Sequence, residues 1–519
     1  MNSLREYQKF MCGFLFIMQS DTSSTCWDDH PSWFAAMKHR GPDHTFSRYP
    51  KPNVFMGQHI LNIVGHVDEE HYRYKNLHLV YNGEIYNYDT SFENDTHFLA
   101  HYLYHNWNDV DFGKLDGMYA FVAYKDGEVL IGRDPFGQIP LYTFQKNNLL
   151  MAASEVHAIK SDSPLNFNAI KNYFFTRHYI DNENSIYKNC YQVPPGHLKQ
   201  YNSCVLVKDE AYSPKEFIGE PLNLSEDEYL EELDTLLKNS IKQMIPDRKF
   251  TSIISGGIDS SLVSWYVSRE SNDANFVGLN NIGKDRVSCD IEKFESFLGK
   301  EIKRVDITKE EWLEAFYHAI ANVMKDLPRS WSTISYYLVS NAIKPSKVLF
   351  TGEAADELFG GYKDYLNPGT TKYSEYSRRD IFENMPSEFK PEISTNPFLT
   401  DVMNNVPAGC YAANTGAAIN GVETRNPFLR FDIVRFALNI PTEYKIRNGT
   451  TKYLLQKLFE KKFSKELVYN KQGFSAFPED TYDVPKYMEE FKKLIGFKNN
   501  PKGDDKWKLA CGAVLHETV

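Results

Sequence analysis

The sequence predicts two domains: an α+β fold of stacked antiparallel sheets covered by helices, followed by an α/β fold built on a parallel sheet. Short β-rich runs separated by turn residues fill residues 12–207. Further along, strand-like runs such as 250–254 alternate with helical runs such as 260–270, and 431–463 has a mostly helical pattern. Alternation of strands and helices favours a parallel sheet wrapped by helices.

A helix start marks the beginning of the second domain. Apolar residues recur at helical spacing over 226–245, and Ser225 stands before them as a candidate N-cap. Glu228 completes a capping box with Ser225, and the acidic first turn suits the positive end of a helix dipole. The predicted domains are residues 12–207 and residues 220–519.

The composition of the 519-residue chain is that of a globular protein, with 42% hydrophobic and 24% charged residues. A net charge of −11 argues against nucleic-acid and anionic-membrane partners, because both need a basic surface. The longest early apolar run, 11–18, is too short to cross a bilayer, so we expect a cytoplasmic protein. The seven cysteines are scattered without a CxxC pair, which argues against a zinc site or a disulfide framework. The sequence does not give the oligomeric state and leaves a homodimer open.

A glycine-containing loop is the first candidate binding site. The loop S-G-G-I-D-S at 255–260 follows the strand-like run TSII and opens an apolar helix. Glycines let backbone N–H groups approach an anion closely, and a helix N-terminus adds a favourable dipole. The loop lacks the GK[ST] ending of a Walker A motif, and the plainer alternative is a glycine turn. The expected phosphate-binding residues are Ser255, Gly256, Gly257, Asp259 and Ser260.

Three motifs of the second domain carry a family resemblance. They are the loop at 255–260, T-G-E-A-A-D-E-L-F-G-G-Y at 351–362 and V-E-T-R-N-P-F-L at 422–429. The first resembles the pyrophosphate loop of the ATP-pyrophosphatase superfamily, and the other two resemble motifs of its asparagine synthetase branch. This resemblance implies that ATP is cleaved to AMP and pyrophosphate through an adenylated carboxylate. It also implies ATP and Mg²⁺ as cofactors, because several negative charges meet at the α-phosphorus.

The roles of five residues are carried over from this resemblance. Asp259 and Asp356 are the implied Mg²⁺ ligands, and Gly352 belongs to the implied ATP site. Glu353 would lie beside the acceptor and manage protons as ammonia attacks. Lys471 matches a late lysine of the family that would steady pyrophosphate and the charged intermediate.

Motifs of the first domain carry a second resemblance. They are R-G-P-D at 40–43, N-G-E-I-Y-N at 82–87, L-D-G-M-Y-A-F at 115–121 and R-D-P-F-G at 133–137. They resemble the class II glutamine amidotransferases, which are N-terminal-nucleophile hydrolases with an α/β/β/α sandwich fold. The resemblance implies a glutaminase that supplies ammonia to the second domain.

The implied glutaminase residues follow from the same motifs. Cys12 matches the nucleophile, whose thiolate attacks the side-chain amide of glutamine. Asn82 and Gly83 match the donors that stabilise the oxyanion. Glu84 and Asp95 match the groups that hold the α-ammonium of glutamine.

The position of Cys12 departs from the family pattern. The family's cysteine is the first residue of the mature chain, and its α-amine, with a pKa near ~8, acts as the base. An internal amide nitrogen cannot do this. A working glutaminase therefore requires either a translation start at Met11, with removal of that methionine, or cleavage of a short propeptide. If neither happens, the glutaminase should be inactive.

A second departure concerns the carboxylate of glutamine. Related asparagine synthetases bind this carboxylate with an arginine at the position that is Ile60 here. The missing arginine puts glutamine affinity in doubt unless another cation replaces it. His59 and Arg40 are the candidate replacements.

The acceptor is the least determined part of the reaction. The acceptor segment of the family is poorly matched at 327–333, where Arg329 is shifted in register. Ala354 stands for a family glycine and Arg430 for a family aspartate. The region between 277 and 298 also lacks a clear Asp-Glu pair, with Asp285 and Asp290 as uncertain candidates. We expect most of these changes on the substrate side, so aspartate is favoured but not unique.

The sequence as a whole predicts a carbon–nitrogen ligase that amidates a carboxylate with glutamine and ATP, most readily aspartate to asparagine. One alternative is a different acceptor, on a sugar, a nucleobase derivative or a secondary metabolite. A second is a carboxylate-activating enzyme like the β-lactam synthetases, with an inactive first domain. A third is a simple hydrolase whose second domain serves as a scaffold.

Overall fold

The computed structural model describes residues 9–20, 30–64, 72–159, 163–175, 183–280, 291–367, 394–463, 485–497 and 504–518. Within this part of the chain, all pairs between the strands of the N-terminal half are antiparallel. These strands are β1 (Lys9–Gln19), β2 (His44–Lys51), β3 (Val54–Val64), β4 (Arg73–Tyr74), β5 (Leu77–Ile85), β6 (Gly117–Lys125), β7 (Glu128–Arg133), β8 (Tyr142–Lys146), β9 (Leu149–Ala153), β10 (Cys190–Gln192), β11 (His197–Asn202) and β12 (Val205–Ala211).

Two layers of these strands face each other across an apolar core. Phe14 of β1 and Met56 of β3 meet Val80 of β5 and Val122 of β6 in this core, and all four are buried. Successive side chains of a strand point to opposite faces of the sheet. The residues next to these four in sequence therefore point to the outer faces. The helices of this half are α1 (His30–Ala35), α2 (Asp95–His105) and α3 (Phe167–Phe175).

Helices cover both outer faces. Leu99 and Leu103 of α2 pack on Tyr81 of β5, and Tyr173 of α3 packs in the cluster that contains Leu15 of β1. The order helix, sheet, sheet, helix confirms the predicted α/β/β/α sandwich. The last strand of the half, β12, continues to Ala211, past the predicted end at 207. The apolar pattern stops at 207 because β12 is an exposed edge strand that accommodates charged side chains.

The C-terminal half contains a five-stranded parallel sheet. Its strands are β13 (Phe250–Ile254), β14 (Ala274–Asn280), β15 (Ile302–Asp306), β16 (Val348–Phe350) and β17 (Glu423–Arg425). The spatial order is β15-β14-β13-β16-β17, so the direction of winding reverses between β13 and β16. In open parallel sheets, ligands bind outside the carboxyl ends of the strands at this reversal. We therefore expect a ligand-binding site at the loops after β13 and β16.

Helices cover the parallel sheet on both faces, as the alternation predicted. The helices of this half are α4 (Glu226–Met244), α5 (Ile258–Glu270), α6 (Ile291–Leu298), α7 (Lys309–Tyr317), α8 (Ser332–Ala342), α9 (Ala355–Phe359), α10 (Pro397–Asn404), α11 (Val406–Ala418), α12 (Phe431–Asn439), α13 (Tyr453–Lys462), α14 (Pro485–Ile495) and α15 (Asp504–Thr518). Ser225 caps α4 and forms the predicted capping box with Glu228. In the described part of the chain, no helix is long and apolar enough to cross a membrane.

One residue of the β16–α9 turn has an unfavourable backbone conformation. Ala354 lies in the left-handed region with φ 74°, directly before α9. A Cβ in this region costs about 1–2 kcal/mol, which is why glycine is favoured there. The next residue, Ala355, is the first helical residue of α9. Both alanines are buried, at 4% and 0% exposure.

These neighbours give a matched test of the strain. Ala354→Gly and Ala355→Gly each remove one buried methyl group and raise the conformational entropy of the unfolded chain equally. Only Ala354→Gly also removes the steric strain of a Cβ in the left-handed region. We expect the free energy of unfolding of the Ala354→Gly variant to be about 1–2 kcal/mol higher than that of the Ala355→Gly variant. Urea unfolding of the two variants measures the difference. Equal losses of stability would contradict a strained turn.

Candidate active site

The central strand of the N-terminal half brings the predicted glutaminase residues together. On β1, the backbone of Cys12 pairs with Ile60 of β3, and Phe10 pairs with Gly83 of β5. The predicted nucleophile and the predicted oxyanion donors are thus on adjoining strands. The side chain of Cys12 lies outside the described residues, so its backbone register alone is placed.

Gly83 sits where no other residue fits. Its φ is 131°, and a Cβ there would overlap the carbonyl oxygen of Met118 on the neighbouring strand. Asn82 beside it is fully buried. The close approach of β5 and β6 at this point therefore depends on glycine.

Asp95 lies directly behind these residues, at the first position of α2. Its carboxylate accepts a hydrogen bond from the hydroxyl of Tyr81 at 2.9 Å and from the backbone N–H of Ile85 at 3.1 Å. Asn94 caps the same helix by accepting from the N–H of His97. Burial raises the pKa of Tyr81, and the charge of Asp95 raises it further. Asp95 is therefore held rigidly against the N-G-E segment.

Glu84 has a partner that the sequence did not suggest. Its carboxylate pairs with the guanidinium of Arg425 on β17, at 2.6 Å, and both side chains are buried. The residue expected to hold the α-ammonium of glutamine thus also joins the two halves of the molecule. Nothing but spatial proximity reveals this pair, because the two residues are 341 positions apart.

The two candidate replacements for the missing arginine have other partners. His59 is stacked on the ring of Phe34, and its two nitrogens bond to the Thr45 hydroxyl at 2.8 Å and the Phe34 carbonyl at 2.9 Å. Burial lowers the pKa of His59, so the imidazole is held neutral. Arg40 is buried and pairs with Glu155 at 3.0 Å. Neither side chain offers an unpaired positive charge for a carboxylate.

The loop after β13 has the features of a phosphate cradle. The backbone N–H and the hydroxyl of Ser255 contact the hydroxyl of Ser260, at 3.0 and 2.9 Å, which closes the loop. Gly256 has a φ of 78°, a conformation that favours glycine. Gly257 caps α5 without supplying a side-chain acceptor. The first N–H groups of α5 thus keep their capacity to bind an anion.

The turn after β16 packs closely on this loop. A Cβ on Gly352 would come within 2.8 Å of the Cβ of Asp259 and 2.9 Å of the N–H of Ser260. Glycine at 352 therefore lets the two switch-point loops touch. The sequence predicted residues of both loops for one ATP site, and the structure brings them together.

Lys452 joins the two predicted metal ligands. Its ammonium group pairs with Asp259 and also with Asp356, the latter at 2.9 Å. The lysine side chain is only 3% exposed, whereas the two carboxylates are 18% and 26% exposed. Lys452 is therefore a buried charge of the site and not a solvated surface lysine. Lys471, the lysine that the sequence predicted for this site, lies outside the described residues, as do Asp285 and Asp290.

Glu353 lies next to this charged cluster. Its carboxylate accepts a 2.6 Å hydrogen bond from Tyr336 of α8, a residue that the sequence did not single out. Burial raises the pKa of Glu353, and the nearby charges of Asp356 and Asp259 raise it further, while the Tyr336 hydroxyl lowers it. A raised pKa makes a carboxylate a better proton acceptor than an exposed one.

Two of the expected substrate-side changes lie at the interface between the halves. Arg329 is buried and donates to the hydroxyl of Tyr142 and to Gln192, both at 3.3 Å. Arg430 pairs with Asp116 at 2.8 Å. Both guanidinium groups are buried and find partners in the other half, and their place on the substrate side stays a prediction.

Comparison with known proteins agrees with this arrangement. Residues 232–501, just over half of the chain, match the Asparagine synthase family, and residues 11–212 match the Glutamine amidotransferase domain. A probable asparagine synthetase [glutamine-hydrolyzing] of Dictyostelium discoideum is 26% identical over 512 residues, covering 87% of this chain and 81% of that protein.

Two further relatives extend the likeness to animals and bacteria. The asparagine synthetase [glutamine-hydrolyzing] of Mus musculus is 28% identical over 510 residues, covering 90% of this chain and 84% of that protein. The asparagine synthetase [glutamine-hydrolyzing] 1 of Bacillus subtilis is 25% identical over 542 residues, covering 87% and 84%. With the 255–260 loop, the two aspartates joined by Lys452 and the amidotransferase motifs in one chain, the protein belongs to the asparagine synthase family.

Proposed function

We propose that this chain is a carbon–nitrogen ligase that converts aspartate to asparagine, with glutamine as the nitrogen donor and with cleavage of ATP to AMP and pyrophosphate. The observation that carries the proposal is the meeting of the 255–260 loop, the Asp259–Lys452–Asp356 cluster and Glu353 at the reversal of the parallel sheet. We assign residues 12–207 to the glutaminase domain and residues 220–519 to the synthetase domain. A cytoplasmic location remains a prediction.

At the glutamine end, the thiolate of Cys12 attacks the side-chain amide carbon and forms a tetrahedral oxyanion. Asn82 and Gly83 donate hydrogen bonds to that oxyanion. Ammonia leaves, and water then releases glutamate from the thioester. The carboxylate of Asp95, at the start of α2, accepts hydrogen bonds from Tyr81 and Ile85 of β5 and is proposed to bind the α-ammonium group.

At the ATP end, a carboxylate oxygen of aspartate attacks the α-phosphorus and pyrophosphate leaves. The loop N–H groups at the start of α5 bind phosphate oxygens, and the ammonium of Lys452 neutralises part of the charge that pyrophosphate carries away. Lys471 is proposed to do the same from the later lysine motif.

The residues present fit a magnesium ion. Asp259 and Asp356 already converge on one cation, the ammonium of Lys452. Mg²⁺ is commonly bound by one or two carboxylates, and substrate phosphates and water complete its shell. Within the described residues no group of three or more candidate ligands exists, which agrees with a site that is completed by ATP. When bound, the ion would neutralise phosphate charge.

Glu353 is the proposed proton acceptor for the amide-forming step. Ammonia attacks the acyl carbon of the aspartyl adenylate, loses a proton and expels AMP. Glu353 lies beside the charged cluster, and its raised pKa suits transfer of that proton.

A different acceptor carboxylate is the second candidate. The observation that favours it is the burial of Arg329 at the interface, because this takes away the arginine that the acceptor segment could have supplied. A sugar, nucleobase or other metabolite carboxylate would then replace aspartate in the same chemistry.

Product formation with two nitrogen donors tests the function. We expect ATP, aspartate and glutamine to give asparagine and pyrophosphate in equal amounts, and other carboxylates to give little pyrophosphate. Cys12→Ala should abolish synthesis with glutamine and retain synthesis with ammonia, because ammonia bypasses the thiolate. Cys190→Ala, which removes a buried cysteine that belongs to neither predicted site, is the control and should retain both.

Two outcomes would count against the proposal. Loss of both syntheses in Cys12→Ala would contradict two separate sites. Pyrophosphate release with another carboxylate, and none with aspartate, would favour the second candidate.

The raised pKa of Glu353 predicts the pH dependence of synthesis with ammonia. The carboxylate form is needed, so the rate should fall as the pH drops through a pKa above the usual 4.5. Tyr336→Phe removes the hydrogen bond that favours the carboxylate, so the acid limb should move to higher pH. Glu353→Gln should lose about 100-fold or more at every pH. Comparison with the unchanged chain at equal total ammonia cancels the titration of ammonium itself. An acid limb that stays in place in Tyr336→Phe would refute the role of Glu353.

A further inference from the structure

Three of the fifteen histidines of the chain lie on one stripe of a single helix. They are His97, His101 and His105 of α2, and they are spaced four residues apart. Residues four apart on an α-helix are neighbours on its surface. His105 is exposed and His101 is half-buried, whereas Leu99 and Leu103 of the same helix are fully buried. The histidine stripe is therefore open to solvent.

The rings of His101 and His105 lie at the separation of two ligands of one metal ion. Their centres are 4.5 Å apart, and their planes are inclined by 48°, so the rings are not stacked on each other. A ring nitrogen binds Zn²⁺ at about 2.1 Å, which places the ring centre about 3.2 Å from the ion. Two rings at ligand angles of about 90–110° then have centres about 4.5–5.2 Å apart. The observed separation is therefore that of a chelating pair.

Aromatic side chains hold the central ring of the stripe. The ring centre of His101 is 5.0 Å from that of Tyr74 and 4.9 Å from that of Phe92. Tyr74 also packs beside His105, with ring centres 5.9 Å apart. Side chains that are already packed lose less conformational entropy when a ligand binds. The pair is thus preorganised for an ion.

The imidazole of His101 is kept in the form that binds metals. Burial lowers its pKa, and the positive charges of His105, His97 and Lys75 lower it further. A metal ion binds the neutral imidazole, because protonation blocks the lone pair of the ring nitrogen. His101 is therefore available as a ligand at neutral pH.

We propose that His101 and His105 form a binding site for one divalent transition-metal ion of the kind that imidazole prefers, such as Zn²⁺ or Cu²⁺. The part of the chain that the structure describes holds no group of three or more candidate protein ligands, so water completes the shell of the ion. The site is separate from the Asp259–Asp356 cluster, whose carboxylates suit Mg²⁺. The ion clamps two successive turns of the helix that begins at Asp95. This inference does not rest on the proposed function.

Titration of the full chain with Zn²⁺, after removal of bound metal and without a histidine tag, tests the site. We expect the unchanged chain to bind one more Zn²⁺ ion than His101→Gln or His105→Gln, because glutamine is polar and of similar size but has no imidazole. Isothermal titration calorimetry at neutral pH measures the number of ions bound. Retention of the full number of ions by either variant would overturn the proposal. Because His105 is exposed, His105→Gln should fold even if His101→Gln does not.

His516→Gln is the matched control. His516 is a partly exposed histidine in the last turn of another helix, α15, and that helix has no second histidine. This variant should bind as many Zn²⁺ ions as the unchanged chain. A loss of one ion in His516→Gln as well would overturn the assignment to His101 and His105.

Cu²⁺ allows the ligands themselves to be identified. Electron paramagnetic resonance of the unchanged chain should show nitrogen ligands from two imidazoles, and His105→Gln should lose that signal. Lowering the pH should release the ion, because protonated imidazole cannot bind it. A spectrum with oxygen ligands alone, or a nitrogen signal that persists unchanged in His105→Gln, would refute the site.

Discussion

The arrangement of the two halves depends on one constraint, which is that a buried guanidinium group must keep its polar partners. Arg40, Arg329, Arg425 and Arg430 all lie at the interface between the two halves, and each contacts a polar group of the opposite half. Separating the halves would break the ion pairs of Arg425 with Glu84 and of Arg430 with Asp116, and removal of one partner of a buried ion pair typically costs about 3–5 kcal/mol. The two halves are therefore held in one relative arrangement. This arrangement is what a reaction divided between two sites requires.

The ATP end is built from a second constraint, the reversal of strand order between β13 and β16. The reversal opens a crevice at the carboxyl ends of the strands, and the loops that follow both strands carry the residues of the site. Gly352 lets the loops touch, and Lys452 draws Asp259 and Asp356 together. Burial raises the pKa of Glu353, and the nearby charges of Asp356 and Asp259 raise it further. The predicted phosphate-binding loop and the proposed proton acceptor thus lie beside one charged cluster.

Local signals made much of this predictable. The capping box at Ser225 located the start of α4, strand–helix alternation indicated the parallel sheet, and the motifs marked the residues that meet in the site. The partners of Glu84, Arg329 and Arg430 could not be predicted, because they are decided by packing between halves that are distant in sequence. The same limit applies to the family arginine that is missing at Ile60. The sequence named His59 and Arg40 as its replacements, but both are buried and bonded to other groups.

We propose that the second half activates the carboxylate of aspartate as an acyl-adenylate. Transfer of ¹⁸O tests it most directly, because attack of a carboxylate oxygen on the α-phosphorus places that oxygen in AMP. Aspartate labelled with ¹⁸O in its side-chain carboxylate should give one ¹⁸O atom in AMP for each asparagine formed, and the amide oxygen should keep the other. Mass spectrometry that finds unlabelled AMP, or ¹⁸O in inorganic phosphate beside ADP, would contradict the account.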